Sequence, residues 1–147
     1  MTSEPLNQTS VIIVGAGPAG LSAAITIKKL QPELQVCVID KAAGPGAHTL
    51  SGAVIEAGPL HELLSLFDKN WESSEFGMRL LEQTVRKEDV LFFGGKWVFK
   101  LNSLIRLANV FHLSFGKMLH KEDYVLSAGM LTKELSRMAC DLGVEVL

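Results

Sequence analysis

A glycine-rich turn set between two apolar strands constrains this chain more than anything else in it. Ser10-Val-Ile-Ile-Val14 runs into Gly15-Ala-Gly17-Pro-Ala-Gly20, and Val36-Cys-Val-Ile39 follows. An unbroken apolar run of this length reads as a parallel strand buried on both faces. The G-x-G-x-x-G turn feeds directly into a helix. Gly15 permits the tight turn, Gly17 lets backbone approach a pyrophosphate with no side chain between, and Gly20 lets the helix lie close on the strand. Pro18 opens that helix where its missing N–H costs nothing, with Ala19 beside it. The unpaired amides and positive end of the helix then face the phosphates. The second strand ends in Asp40, about 20 residues past Gly20, where a carboxylate meets the hydroxyls of an adenosine ribose.

Bulk properties narrow the partners. A length of 147 residues is one domain's worth, and 48% hydrophobic content suffices for a core. A net charge of −2 without any basic run gives no electrostatic reason to expect nucleic acid or an anionic membrane. Cys37 and Cys140 have no metal-ligand spacing, and Cys37 reads as a small buried hydrophobe of the second strand. The polar first nine residues lack a basic region, so Val11–Val14 is a strand and not a signal peptide. No segment approaches the roughly 20 apolar residues of a membrane span. A cytosol-facing chain is expected.

The first helix is predicted to run to Leu30, stopped by Gln31-Pro32. Residues 41–57, rich in Gly, Ala and Pro, are expected to be an irregular loop lying against a ligand or another segment. His61–Phe67 reads as a short helix. Val90–Phe93 and Lys96–Phe99 read as a hairpin around a Gly94-Gly95 turn. The apolar stretch 101–119 reads as a helix covering a sheet, with membrane or quinone contact as the second choice. Tyr124–Leu126 reads as a strand. Leu131, Leu135, Met138, Ala139 and Leu142 form a helical stripe, ended by Gly143 before a third parallel strand at 144–147.

The glycine turn, the loop Gly46-Ala-His-Thr-Leu-Ser-Gly-Ala53 with Val54-Ile-Glu56, and Leu142-Gly-Val-Glu-Val146 together resemble one family. It is that of the electron-transfer flavoprotein–ubiquinone oxidoreductases, within the glutathione-reductase-like FAD fold that also includes geranylgeranyl reductases. The resemblance covers most of residues 10–60 and roughly 120–147. Between Trp97 and His120 the family has a proline-rich polar stretch that is not found here. The resemblance implies an α/β chain: a Rossmann-like βαβ FAD-binding domain with an incomplete parallel sheet, into which an α+β segment of the substrate domain is inserted. Residues 1–9 would be a polar tail, 10–60 the FAD-binding βαβ unit and flavin-side loop, 61–123 the insertion, and 124–147 the return to the FAD-binding domain. It further implies FAD held at Gly15, Gly17, Pro18, Ala19 and Gly20, with Asp40 on the adenosine ribose and Lys41 flanking it. Ala47, His48, Thr49, Leu50, Ser51 and Gly52 would run beside the ribityl chain and flavin ring. Electron-transfer flavoprotein would be the donor and ubiquinone the acceptor, with peripheral contact at the inner membrane in the full-length form. An iron–sulfur cluster is expected only in a C-terminal part beyond these residues.

No catalytic or metal-binding residue is assigned. His48 is read as a loop histidine bonded to backbone near the flavin, and Ser51 lacks the surroundings of a nucleophile. His61, His112 and His120 are expected on the surface or rim, Glu62 and Asp68 as solvated helix charges, and Arg137–Asp141 as an exposed pair. Trp71, Trp97, Phe92, Phe93 and Phe99 are expected in the core. The fold rules continue the sheet on the far side of the first strand, so Val11–Val14 is expected as an exposed edge and the chain as an N-terminal piece. A non-catalytic nucleotide-binding fragment, a geranylgeranyl-reductase-like domain and an NAD-dependent dehydrogenase domain are the alternatives.

Overall fold

The computed structural model describes residues 9–49, 52–110 and 120–147, with backbone alone at 109 and 110. The first βαβ unit forms as the glycine pattern requires. Strand β1 (Val11–Val14) leads into helix α1 (Pro18–Leu30), with Pro18 in its first turn and Gln31 at its C-cap, and strand β2 (Val36–Ile39) follows. Lys28 and Lys29 in the last turn of α1 complement its negative end. Lys28 Nζ donates to the carbonyls of Pro32 and Leu34, and Lys29 Nζ to that of Phe67.

Strand β3 (Ala53–Ile55) and helix α2 (Ala57–Phe67) come next. Residues 41–57 are therefore not wholly irregular. The run Ala53-Val54-Ile55 pairs antiparallel with β6 (Tyr124–Leu126), because its branched side chains suit a pleated surface. Helix α2 also starts four residues earlier than expected. A short 3₁₀ turn at Trp71–Ser73 precedes helix α3 (Glu75–Glu82), whose Ser74 N-cap accepts from the Gly77 amide at 2.9 Å.

The hairpin forms one residue out of the expected phase. Strands β4 (Leu91–Gly94) and β5 (Trp97–Lys100) pair Gly94 with Trp97, so the turn is Gly95-Lys96. Gly95 alone takes positive φ, as the first position of a II′ turn demands. Its aromatics are not core: Phe92, Phe93, Trp97 and Phe99 are all exposed, Trp97 at 73%. Only Trp71 among the five aromatics expected inside is buried. Helix α4 (Asn102–Val110) follows, and of Leu104, Ile105 and Leu107 only Ile105 is buried. The remainder of the apolar stretch, with His112, lies outside the described residues.

Helix α5 (Ala128–Asp141) carries the predicted stripe inward and ends in a Schellman turn. Gly143, at φ +81°, donates to Cys140 and Val144 to Ala139. Strand β7 (Glu145–Val146) then pairs parallel with β2, giving the sheet order β1-β2-β7. Val11, Ile13, Val36 and Val38 face α1 and α5 and join the core with Leu21, Ile25, Leu131 and Leu135. The opposite face has no helix on it among the described residues. Ile12 and Val14 point that way, 62% and 82% exposed, although the composition of β1 is that of a strand covered on both sides.

Candidate functional site

The site grows out of the C-terminal ends of β1 and β2, where an open α/β sheet places its ligands. Gly15, at φ +110°, makes the sharp exit from β1 and donates to the Ile39 carbonyl at 2.8 Å. A Cβ on Gly20 would stand 2.0 Å from the Gly15 carbonyl oxygen, so only glycine lets α1 sit this close to its own loop. A Cβ on Gly17 would meet nothing within 4 Å. Gly17 therefore faces open space, which is the place a ligand would fill.

The backbone donors of the loop can be accounted for. The Ala16 amide donates to Asp40 Oδ2 at 2.7 Å, and Leu21 donates to Gly17. Pro18 has no N–H. The amides of Gly17, Ala19 and Gly20 have no acceptor among the described residues, and they cluster at the positive end of α1. An anion is what such a cluster can hold.

Asp40 is half-buried, with Oδ1 accepting from Ala42 at 2.8 Å and Oδ2 from Ala16. The Ala42 and Ala16 amides hold its carboxyl below the usual carboxylate range, with His48 and Lys41 nearby adding less. A carboxylate has about four lone-pair positions, so both oxygens keep acceptor capacity for hydroxyl donors. A hollow of about 450 Å³ opens here, lined by Val14, Gly15, Ile39, Asp40 and Lys41. A second, of about 480 Å³, lies along Ala43–Ala47 against Lys133 and Ser136 of α5. A further hollow, of about 520 Å³, lies elsewhere, between α3 and α5, where Arg79 and Arg137 are already paired with Glu75 and Glu134.

The loop after Lys41 is built from two consecutive turns, Ala47 donating to Gly44 and Thr49 to Gly46, both at 3.1 Å. Gly46 and Gly52 hold positive φ. His48 is exposed and has no hydrogen bond among the described residues, so it is not the backbone-bonded histidine expected. Leu50 and Ser51 lie outside the described residues. Thus Gly15, Gly17, Pro18, Ala19, Gly20, Asp40 and Lys41 gather at one end of the sheet, and Ala47, His48, Thr49 and Gly52 belong to the loop that leaves it.

Some contributors escaped the sequence. Ala16, the variable position inside the glycine motif, is buried and supplies the amide that anchors Asp40. Gly129 backs the loop from α5, and a glycine just after a Ser127 N-cap was the available signal. His61 is partly buried: its Nε2 shares a 2.6 Å hydrogen bond with the Tyr124 hydroxyl, and its ring lies 5.0 Å from that of Trp71. His120 is half-buried and reaches the buried Asp123 at 3.2 Å.

Residues 4–64, which hold the glycine turn, Asp40, the loop after it and β3, match the Thi4 family model. Electron transfer flavoprotein-ubiquinone oxidoreductase of Pseudomonas aeruginosa is 38% identical over 141 residues, 92% of this chain and 23% of its own. The mitochondrial protein of that name from Dictyostelium discoideum is 35% identical over 145 residues, 95% of this chain and 21% of its own. The human one is 52% identical over 60 residues, 38% of this chain and 10% of its own. The chain spans about a fifth of the length of the first two relatives. Among solved structures, a geranylgeranyl bacteriochlorophyll reductase-like protein of Thermoplasma acidophilum gives a TM-score of 0.56 at 20% identity, over 92% of this chain and 28% of that one. OxyS anhydrotetracycline hydroxylase from Streptomyces rimosus gives 0.54 at 17% identity, over 93% and 23%. These likenesses show the fold.

Proposed function

Because this chain belongs to the electron transfer flavoprotein–ubiquinone oxidoreductase family, of whose members it spans about a fifth, we propose that it forms the FAD-binding βαβ unit of such an oxidoreductase. The observation that carries this reading is the trio of amides at Gly17, Ala19 and Gly20, without an acceptor among the described residues, set around an open Gly17 and beside Asp40. That arrangement fits a pyrophosphate flanked by a ribose. In the longer protein, electrons would pass from reduced electron-transfer flavoprotein to ubiquinone at the membrane surface.

A bound flavin supplies the electron-carrying chemistry. The chain's own residues bind and orient. Gly17, Ala19 and Gly20 donate to the pyrophosphate, Asp40 accepts from the adenosine ribose, and Lys41 flanks it. Ala47, His48, Thr49 and Gly52 border the ribityl and ring half. Residues 10–60 with 124–147 make up this unit, and 61–123 are the insertion of the substrate side. Cys37 and Cys140 are assigned no part in an iron–sulfur cluster. One is buried in β2 and the other exposed on α5.

The test has two stages. Titrating the chain with FAD should quench flavin fluorescence, and Gly17→Val should abolish this while leaving the circular dichroism spectrum in place. Asp40→Ala should weaken binding about ten- to hundredfold and Asp40→Glu much less. Binding of NAD with no binding of FAD would overturn the flavin assignment. For electron transfer, this chain replaces the matching segment of the P. aeruginosa relative. A chimaera that keeps its flavin and reduces quinone supports the role, and one that keeps its flavin without turnover overturns it.

A further inference from the structure

The loop that carries Ala47, His48 and Thr49 is gripped at both ends by one corner of the fold. At its far end, Ala53 pairs with Leu126, the last residue of β6. At its near end, Gly46 crosses Gly129, three residues further along and in the first turn of α5. The crossing is backbone on backbone. A Cβ on Gly46 would stand 2.9 Å from the Gly129 carbonyl oxygen, 3.2 Å from its Cα and 3.4 Å from the Cβ of Thr132. Neither partner can give way easily. Thr132 is fully buried and its hydroxyl donates to the Ala128 carbonyl at 2.8 Å. Gly129 is held in a helix whose N-cap, Ser127, has its hydroxyl 3.4 Å from the Met130 amide. Gly46 also sits at φ +77°, which L side chains adopt rarely, so two independent constraints forbid a side chain there.

We infer that the corner Leu126–Gly129 is the positioning element of the ring-side loop, and that the Gly46–Gly129 crossing sets the loop's distance from α5. This rests on the FAD reading given above. Gly46 touches no ligand in this scheme and acts through the loop it carries. The phosphate and ribose end depends on Gly15–Gly20 and Asp40, to which no hydrogen bond joins the corner among the described residues. A side chain at Gly46 therefore levers the ring half away and leaves the adenosine half intact. That separation is what a general loss of folding would not produce.

Two probes read the two halves of the site. ADP shares the adenosine and pyrophosphate end with FAD and has no ring half. Dissociation constants for ADP and FAD are measured by calorimetry on the full chain, its Gly46→Ala variant and, as a glycine control with open space around it, Gly58→Ala. Gly46→Ala should weaken FAD about tenfold or more and ADP by less than about twofold. If Gly46→Ala does not fold, Gly129→Val is read in the same way. Its branches push on the Gly46 and Thr49 carbonyls, 3.7 and 3.9 Å from a Cβ there, with no positive φ involved. Hydrogen exchange of the Ala47 and Thr49 amides should slow with FAD and not with ADP. Equal losses for the two ligands, or none, overturn the positioning role and leave the flavin reading standing. A wild-type chain that binds FAD no tighter than ADP also overturns it. Binding of neither ligand overturns the flavin reading itself, and the inference with it.

Discussion

At the scale of single residues, Tyr124 gives the cleanest test of the interior. It is the only tyrosine in the chain and is almost fully buried, sharing its hydroxyl with His61. Burial, and to a lesser degree the charge of Glu72, pushes its phenol above the ordinary value. In the unfolded chain the phenol titrates near about 10. A raised folded value means the unfolded state releases its proton first. The stability tied to this group is therefore complete below about pH 10 and falls as pH rises through the folded value. The phenolate absorbance of the native protein should appear only above the midpoint of the urea-unfolded protein. Coincident midpoints would mean that Tyr124 is not enclosed. None of this could be read from Tyr124 in the sequence, because the shift comes from burial in the folded core and from Glu72, 52 positions away, which only the fold brings near. The place of Asp40 at the end of β2 was legible, but its bond to Ala16 was not: nothing in a spacing of 24 residues says which amide a short acid reaches.

Elements were legible where a local pattern decided them. The glycine turn fixed β1, α1 and β2, and the stripe in α5 with Gly143 fixed the return to β7. Helix α3 and the turn before it were not found. What holds them is a tertiary approach: a Cβ on Gly77 would fall 2.0 Å from the Trp71 carbonyl oxygen. This sets two effects against each other. Helix propensity alone predicts that Gly77→Ala stabilises by about 1 kcal/mol. The clash predicts the opposite, a loss of roughly 1–3 kcal/mol, since α3 must shift off the buried Trp71. The clash should win, and urea unfolding of Gly77→Ala against wild type gives the sign directly. A stabilised variant would show that the two elements are not in this contact. The hairpin failed in a different way. Its strands follow from alternation and turn chemistry, but burial of its aromatics depends on what packs against them, which no local pattern contains.

Among the described residues, the sheet is covered on one face only. Ile12 and Val14 stand exposed on the other, beside Ile39 at the rim, on a strand that is also the edge of the described sheet. Apolar surface at an unpaired edge promotes association between copies. The isolated chain should therefore self-associate, and Ile12→Lys should reduce its weight-average mass in sedimentation without changing its stability by more than about 0.5 kcal/mol. An unchanged mass distribution would place the association elsewhere. The bond from Ala16 to Asp40 also has a kinetic meaning. It ties the glycine turn to the end of β2 during folding, so the turn's conformational freedom is already spent when a ligand arrives. Capture of a diphosphate at this end should accordingly follow a single bimolecular phase in stopped flow, its rate rising linearly with ligand and with no plateau set by loop ordering.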